Sequence, residues 1–139
     1  MKFKGTIEVW SLDKKGKVKK YIKKSNVILN NGRKKFFSYD DFMISRVAIG
    51  TDDTSPDSSQ MGLLATYRVE NFGLGEIKEV GDYSFECEHT FIDFTETVNI
   101  CEAGLVGTDG ICFNRATFDP ITCDENNNIK IKFTITVTD

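Results

Sequence analysis

Apolar and polar side chains alternate strictly from Ile129 to Val137: Ile129, Ile131, Phe133, Ile135 and Val137 are separated by Lys130, Lys132, Thr134 and Thr136. Successive side chains of a β-strand point to opposite faces, so this run predicts a half-buried strand whose Lys and Thr face meets water or a partner. Phe3 to Leu12 and Val18 to Leu29 flank Asp13-Lys14-Lys15-Gly16 and predict an N-terminal hairpin, the glycine supplying the positive φ that a short loop commonly needs. After Asn30-Asn31-Gly32, read as a helix cap, Arg33 to Phe42 gathers Phe36, Phe37, Tyr39 and Phe42 without β-branched residues and predicts one short helix. Arg46 to Ile49 reads as a buried strand. Gly50 to Ser59, a run of turn formers that cannot join a core, is the longest predicted loop. Tyr67 to Val80 and Tyr83 to Phe94 predict a long antiparallel pair turning at Gly81-Asp82, with Phe85, Cys87, His89 and Phe91 on one face. Asn99 to Val106 and Ile111 to Phe118 predict a further hairpin across Gly107 to Gly110.

Seven or so closely spaced strands predict an all-β fold, an antiparallel two-sheet β-sandwich with one short helix. A chain of 139 residues can bury a core of its own, so a single β-sandwich domain spanning 1–139 is expected, with eleven Phe as bulky core material. The opening Met-Lys-Phe-Lys-Gly-Thr lacks the apolar run of a signal peptide, and no stretch approaches the roughly 18 apolar residues of a membrane span. The expectation is a protein made and kept in a cytosol, without a membrane partner. Cys87, Cys101, Cys112 and Cys123 contain no CxxC pair and read as buried free thiols.

Charge changes this picture. Residues 1–35 carry twelve basic side chains against Glu8 and Asp13, or +10, whereas residues 36–139 carry six basic against nineteen acidic, or −13; the net of −3 hides the division. Opposite excesses on one subunit favour head-to-tail association over side-by-side pairing of like surfaces. Lys14, Lys15, Lys17, Lys19, Lys20, Lys23 and Lys24 concentrate the basic charge at the tip and second strand of the first hairpin and form the candidate interaction surface.

Candidate chemistry is sparse. His89, the single histidine, lies among strand residues and reads as a hydrogen-bonded structural side chain, because no Ser or Cys elbow supplies a nucleophile. No GxxxxGK[ST] segment exists, and Gly73-Leu74-Gly75 lacks the third glycine of a dinucleotide site. Asp52, Asp53, Asp57, Ser58 and Ser59 offer oxygen ligands without the EF-hand register, and a solvated turn is the preferred reading. The lysines could grip phosphates, but Tyr21 is the lone aromatic among them and the pI is about 5.2, which argues against nucleic acid. No catalytic, cofactor-binding or metal residue is assigned. A carbohydrate-binding sandwich using Trp10, Tyr67 or Tyr83 as a sugar platform is a further alternative, although Trp10 falls among strand residues and is expected in the core.

Four segments in chain order carry a resemblance. They are Gly5-Thr-Ile-Glu-Val with Asp13-Lys-Lys-Gly-Lys-Val; Lys24-Ser-Asn-Val-Ile-Leu-Asn-Asn-Gly; Val47-Ala-Ile-Gly-Thr-Asp-Asp-Thr-Ser-Pro-Asp-Ser-Ser-Gln-Met-Gly-Leu with Arg68 behind it; and Ile100-Cys-Glu-Ala-Gly-Leu-Val followed by Gly110-Ile-Cys-Phe-Asn-Arg-Ala-Thr-Phe-Asp-Pro-Ile. Together with the alternating terminal strand, these resemble small virion proteins of tailed bacteriophages, whose loop reads I-G-T-G-T-x-x-P-x-x-x-D-T-x-L and whose close reads I-x-E-A-G-L-F … L-F-x-R-x-x-F-x-P-I. Asp52 stands at the second glycine of that loop and Ser58 at its usual acidic position. Glu102 and Arg115 match the family's paired acidic and basic positions and read as a stabilising cross-strand ion pair. The resemblance implies a non-enzymatic structural subunit of a phage particle, in the tail, neck or collar, or fibre-attachment region. It would form a symmetric oligomer or ring with other virion structural proteins as partners, made in the host cytoplasm and resident in the virion. The alternative is a capsid decoration or head-fibre protein.

Overall fold

The structure, a computed structural model, describes residues 2–36, 43–81 and 83–138. Its elements in chain order are β1 (Lys2–Asp13), β2 (Val18–Ser25), β3 (Val27–Ile28), α1 (Asn30–Phe36), β4 (Ile44–Gly50), β5 (Thr66–Asn71), β6 (Ile77–Glu79), β7 (Ser84–Phe91), β8 (Val98–Gly107), β9 (Asn114–Cys123) and β10 (Asn127–Thr138). The front sheet has the order β2-β1-β10-β7-β6 and the back sheet β3-β9-β8-β4-β5, all neighbours antiparallel. The all-β, two-sheet sandwich read from the sequence is what forms.

The period-2 pattern explains the packing. On β10, Ile129, Ile131, Phe133 and Ile135 face inwards and are at most 1% exposed, beside Ile7 and Val9 of β1 and Cys87 and Phe91 of β7. They meet Val47 and Ile49 of β4, Ala103 and Leu105 of β8, and Ala116 and Phe118 of β9. Burial of these apolar faces is the main favourable contribution to the fold. The four cysteines are free and buried, Cys87 and Cys123 within this interior. No helix among the described residues is long and apolar enough to cross a membrane.

Two predicted strands divide between the sheets. Val18 to Leu29 is not one strand: β2 ends at Ser25, and Val27–Ile28 pairs with β9 in the back sheet. The reason is visible in the residues, since polar Lys-Lys-Ser-Asn gives way to consecutive apolar Val27-Ile28-Leu29, which alternation on one face cannot bury. Asn26 donates to the Gly5 carbonyl (3.0 Å) and Leu29 to the Phe113 carbonyl (2.9 Å), so the crossover is held at both ends. Tyr67 to Val80 likewise does not pair as a whole with Tyr83 to Phe94. β5 pairs with β4 in the back sheet and only β6 pairs with β7, because Gly73 and Gly75 (φ 81°) interrupt the run with a turn. α1 begins at Asn30, so Asn30-Asn31-Gly32 lie inside the helix rather than capping it; residues 37–42 of the predicted helix, and Asp82 of the predicted turn, lie outside the described residues.

Candidate functional site

The seven lysines end up together on an edge. β2 is the outermost strand of the front sheet, and seven of its eight residues are exposed. At the tip, the Asp13 carboxylate accepts the N–H groups of Lys15 and Lys17 at 2.9 Å each, bonds that hold it below the usual carboxylate range and fix the turn. Lys19 donates to Asn127 Oδ1 (2.6 Å); the other six lysine side chains make no ion pair or side-chain hydrogen bond among the described residues. Lys14 borders a cleft of about 690 Å³ that Asp93 and Glu125 also line, so the tip has carboxylates of its own chain nearby.

The charge division holds on this edge and fails on the adjoining sheet face. There Lys23, Glu8, Lys132 and Glu88 stand in one cross-strand row. Lys132 lies 3.8 Å from Glu8 and 3.3 Å from Glu86, and Lys130 lies 2.8 Å from Glu88. Such partly exposed pairs contribute little to stability, but they neutralise the face and leave the net positive field at β2 and the tip. Trp10 belongs to the same outer face. It is half-buried, 5.3 Å from the Tyr21 ring, with the Lys130 ammonium 4.8 Å above it, so the core position expected for it is wrong. The strand alternation decides this: Ile7 and Val9 take the inward parity and Trp10 the outward one.

A second polar centre lies on the outer face of the back sheet, beneath residues 51–65. Glu102 on β8 and Arg115 on β9 are both 0% exposed and joined by Arg115 Nε to Glu102 Oε1 at 2.9 Å. The pair is diagonal, since Glu102 sits directly opposite Thr117. Glu102 also accepts the N–H groups of Asp52 (3.0 Å), Leu64 (2.9 Å) and Ala65 (2.9 Å). Arg115 donates through Nη1 to the Thr54 carbonyl (2.7 Å) and Gln60 Oε1 (3.1 Å), and through Nη2 to the Asp52 carbonyl (3.1 Å). Two charges taken out of water are tolerable only when their remaining hydrogen-bonding capacity is met, and here the loop backbone meets it. The loop is therefore bound to the sheet by a clamp, and each Arg115 nitrogen is engaged within the chain.

The residue pattern around the clamp follows from that geometry. Along β8, Ala103 and Leu105 enter the core, while Glu102 and Gly104 face the loop. A Cβ on Gly104 would lie 2.5 Å from the Asn114 carbonyl oxygen and 2.8 Å from Leu63. One on Gly50 would lie 2.4 Å from the Ala65 carbonyl oxygen and 2.5 Å from Glu102 Oε2, so close approach demands glycine at both positions. Asn30 of α1 donates to the Ser58 carbonyl (2.8 Å), tying the loop to the crossover as well. The carboxylates of Asp52 and Asp57 cap Thr54 and Ser59 within their own turns, and the described residues contain no group of three side chains fit to hold a metal.

His89 spans the opposite, open side of the sandwich. Its Nε2 lies 2.8 Å from Glu70 of β5 and its Nδ1 2.9 Å from Glu76, which precedes β6. Burial works against its charged form, yet the hydrogen bonds and charges of Glu70 and Glu76 outweigh burial and raise its pKa. Both ring nitrogens are thus occupied by carboxylates, one from β5 and one from the turn before β6. Arg68 on β5 adds a hydrogen bond to the Ile92 carbonyl (2.7 Å) and lies 4.4 Å over the Phe94 ring. Tyr67 packs on Phe94 and donates to Glu96 (2.9 Å), Tyr83 is 72% exposed beside the β6–β7 turn, and Trp10 is on the front face; the three aromatics suggested as a sugar platform are not brought together.

No family profile, curated protein or solved structure matches the chain.

Proposed function

We propose that this chain is a non-enzymatic structural subunit of a tailed-phage particle, placed in the tail, neck or collar, or fibre-attachment region and assembling with copies of itself and with other virion proteins. The observation that carries the reading is the convergence of the segments that resemble phage virion proteins. The loop from Gly50 to Ala65, Glu102 and Arg115 form one buried clamp, and the segment around Asn26 to Asn30 bonds to Gly5, Phe113 and Ser58. Residues scattered over the chain thus serve one purpose, a rigid loop on a rigid sandwich.

Three further observations favour assembly over chemistry. The guanidinium of Arg115 and both nitrogens of His89 are engaged by the chain's own groups. Burial pushes the thiols of Cys87 and Cys123 up to about 12 and that of Cys112 up to about 11, far from a reactive thiolate. The lysine edge, by contrast, is exposed and makes no ion pair among the described residues, which suits steering onto an acidic neighbour. Mass spectrometry of purified particles, with cryo-electron microscopy of particles labelled on this chain, tests the reading. Density at the tail, neck or fibre base is the expected result, a position on the capsid shell supports the decoration alternative instead, and absence from particles overturns both.

A further inference from the structure

Among the described residues the front sheet ends without a partner strand on both sides, β2 at one edge and β6 at the other. The bond from Asn26 N–H to the Gly5 carbonyl sets the alternation along β2: Lys20, Ile22 and Lys24 turn their main-chain groups to β1, and Tyr21, Lys23 and Ser25 turn theirs outwards. On the other edge, Glu88 N–H to the Glu76 carbonyl and Val80 N–H to the Ser84 carbonyl leave the main-chain groups of Ile77 and Glu79 pointing outwards. Each edge therefore offers a short row of open donors and acceptors.

The chemistry of the two edges differs. β2 carries Lys19, Lys20, Lys23 and Lys24 and no acidic residue, so a second β2 laid against it would set lysines on lysines. The β6 edge carries Glu79, with Glu76 just before it already bonded to His89, and its one cation, Lys78, lies opposite Glu86. It also exposes apolar surface: Leu74 is fully exposed and Ile77, Val80 and Tyr83 are 41%, 44% and 72% exposed. Apolar exposure beside open backbone groups suits a docking site.

We propose that the lysine edge of one copy docks on the β6 edge of a second copy, extending the front sheet from subunit to subunit. This rests on the assembling-subunit reading and names its contact. Like charge excludes β2 against β2, while the Glu79 carboxylate and the apolar side chains at β6 complement β2, whose Val18 and Tyr21 are themselves 52% and 48% exposed. The contact is heterologous, so repetition gives a ring if the rotation closes and a filament if it does not. Its strand direction follows from topology. Five antiparallel strands place β2 and β6 pointing the same way, so copies that keep their back sheets on one side meet as a parallel pair. The ladder available at β6, from Glu76 to Val80, is about 16 Å long at the usual strand rise, which makes a single contact weak and dependent on concentration.

Sedimentation velocity and light scattering on the full chain, over a wide concentration range at low and high salt, test the proposal. Wild type is expected to associate with concentration and to weaken as salt screens the edges. The Lys20→Glu/Lys23→Glu variant is expected to lose about tenfold or more in association constant. Glu79→Pro removes an outward N–H while leaving the β6–β7 bonds in place, and is expected to do the same; Glu79→Lys serves if the proline variant fails to fold, judged by circular dichroism. Mixing Lys20→Glu/Lys23→Glu with Glu79→Lys is expected to restore hetero-association that neither shows alone. Wild-type oligomers unaffected by both edge substitutions overturn the edge contact and leave the subunit reading standing. A chain that is monomeric under all conditions overturns the edge contact too, whereas absence from particles is what overturns the subunit reading.

Discussion

Replacing Glu102 by Gln changes the clamp with almost no change in shape. The carboxylate accepts four donors: Arg115 Nε and the Leu64 N–H at Oε1, and the N–H groups of Asp52 and Ala65 at Oε2. A carboxamide keeps one acceptor oxygen, so in either orientation its NH₂ confronts two buried donors. Each unmet donor costs about 1–3 kcal/mol. Arg115 also loses its only fully buried counter-charge, Asp52 Oδ1 being 3.6 Å from Nη2 and partly exposed. Breaking one side of a buried pair costs about 3–5 kcal/mol, which agrees with the sum over donors. For a domain of this size, with total stability of about 5–15 kcal/mol, that is a large fraction, equivalent to a fall in Tm of roughly 10–15 °C. Urea unfolding followed by circular dichroism measures the loss, and limited proteolysis reports whether cleavage concentrates in residues 51–65. Glu88→Gln, at the partly exposed pair with Lys130, is the control and is expected to change stability by less than about 1 kcal/mol. A loss at Glu102→Gln no larger than the control, or a loop cut no faster than wild type, refutes the clamp as the source of loop order.

Stability should also depend on pH through His89. Its folded pKa is raised above 6.5, so its stabilising contribution is complete below that pH and is lost as pH rises through the folded value. The urea midpoint of wild type is expected to fall from pH 6 into the alkaline range more than that of His89→Gln; parallel profiles would contradict the two-carboxylate geometry. Burial raises all four thiols, so a thiol reagent is expected to label none in the folded chain and four after denaturation, and prompt labelling of Cys87 or Cys123 would place them outside the core. Trp10 is the single tryptophan and lies on the outer face, so acrylamide should quench its fluorescence in the folded state, and Trp10→Ala should cost about 1–2 kcal/mol against roughly 3–5 for Phe133→Ala.

Where the residues alternate cleanly the fold is legible, as at Ile129 to Val137, because period-2 burial has one solution; the hairpin around Gly107 to Gly110 is legible from its turn residues instead, since β8 is buried on both faces and β9 begins only at Asn114. Alternation could not say which sheet a strand would join. Tyr67 to Val80 looked continuous because its polar breaks were brief, yet Gly73 to Glu76 is enough turn to carry the chain from the back sheet to the front. A place among strand residues points Trp10 to the core, whereas its parity with Glu8 and Leu12, opposite to Ile7 and Val9, puts it on the outer face. Glu102 and Arg115 were found only through the resemblance. Their loop partners, and Glu70 and Glu76 beside His89, come from other parts of the chain, and no spacing rule connects them. The lysines lie on one edge strand and its turn, where the hairpin reading puts them, but the neutralised neighbour face depends on cross-strand register, which composition does not contain.

The clamp also has a kinetic consequence. Its two charges belong to adjacent strands, β8 and β9, whereas its remaining partners lie about forty to sixty residues earlier in the chain. The strands must align before the segment from Thr51 to Ala65 has anything to settle on, so its docking is expected after the rate-limiting barrier to folding. Substitutions there should hasten unfolding while leaving the speed of folding nearly unchanged. A loop secured in this way guards the finished molecule against coming apart without slowing how it is made.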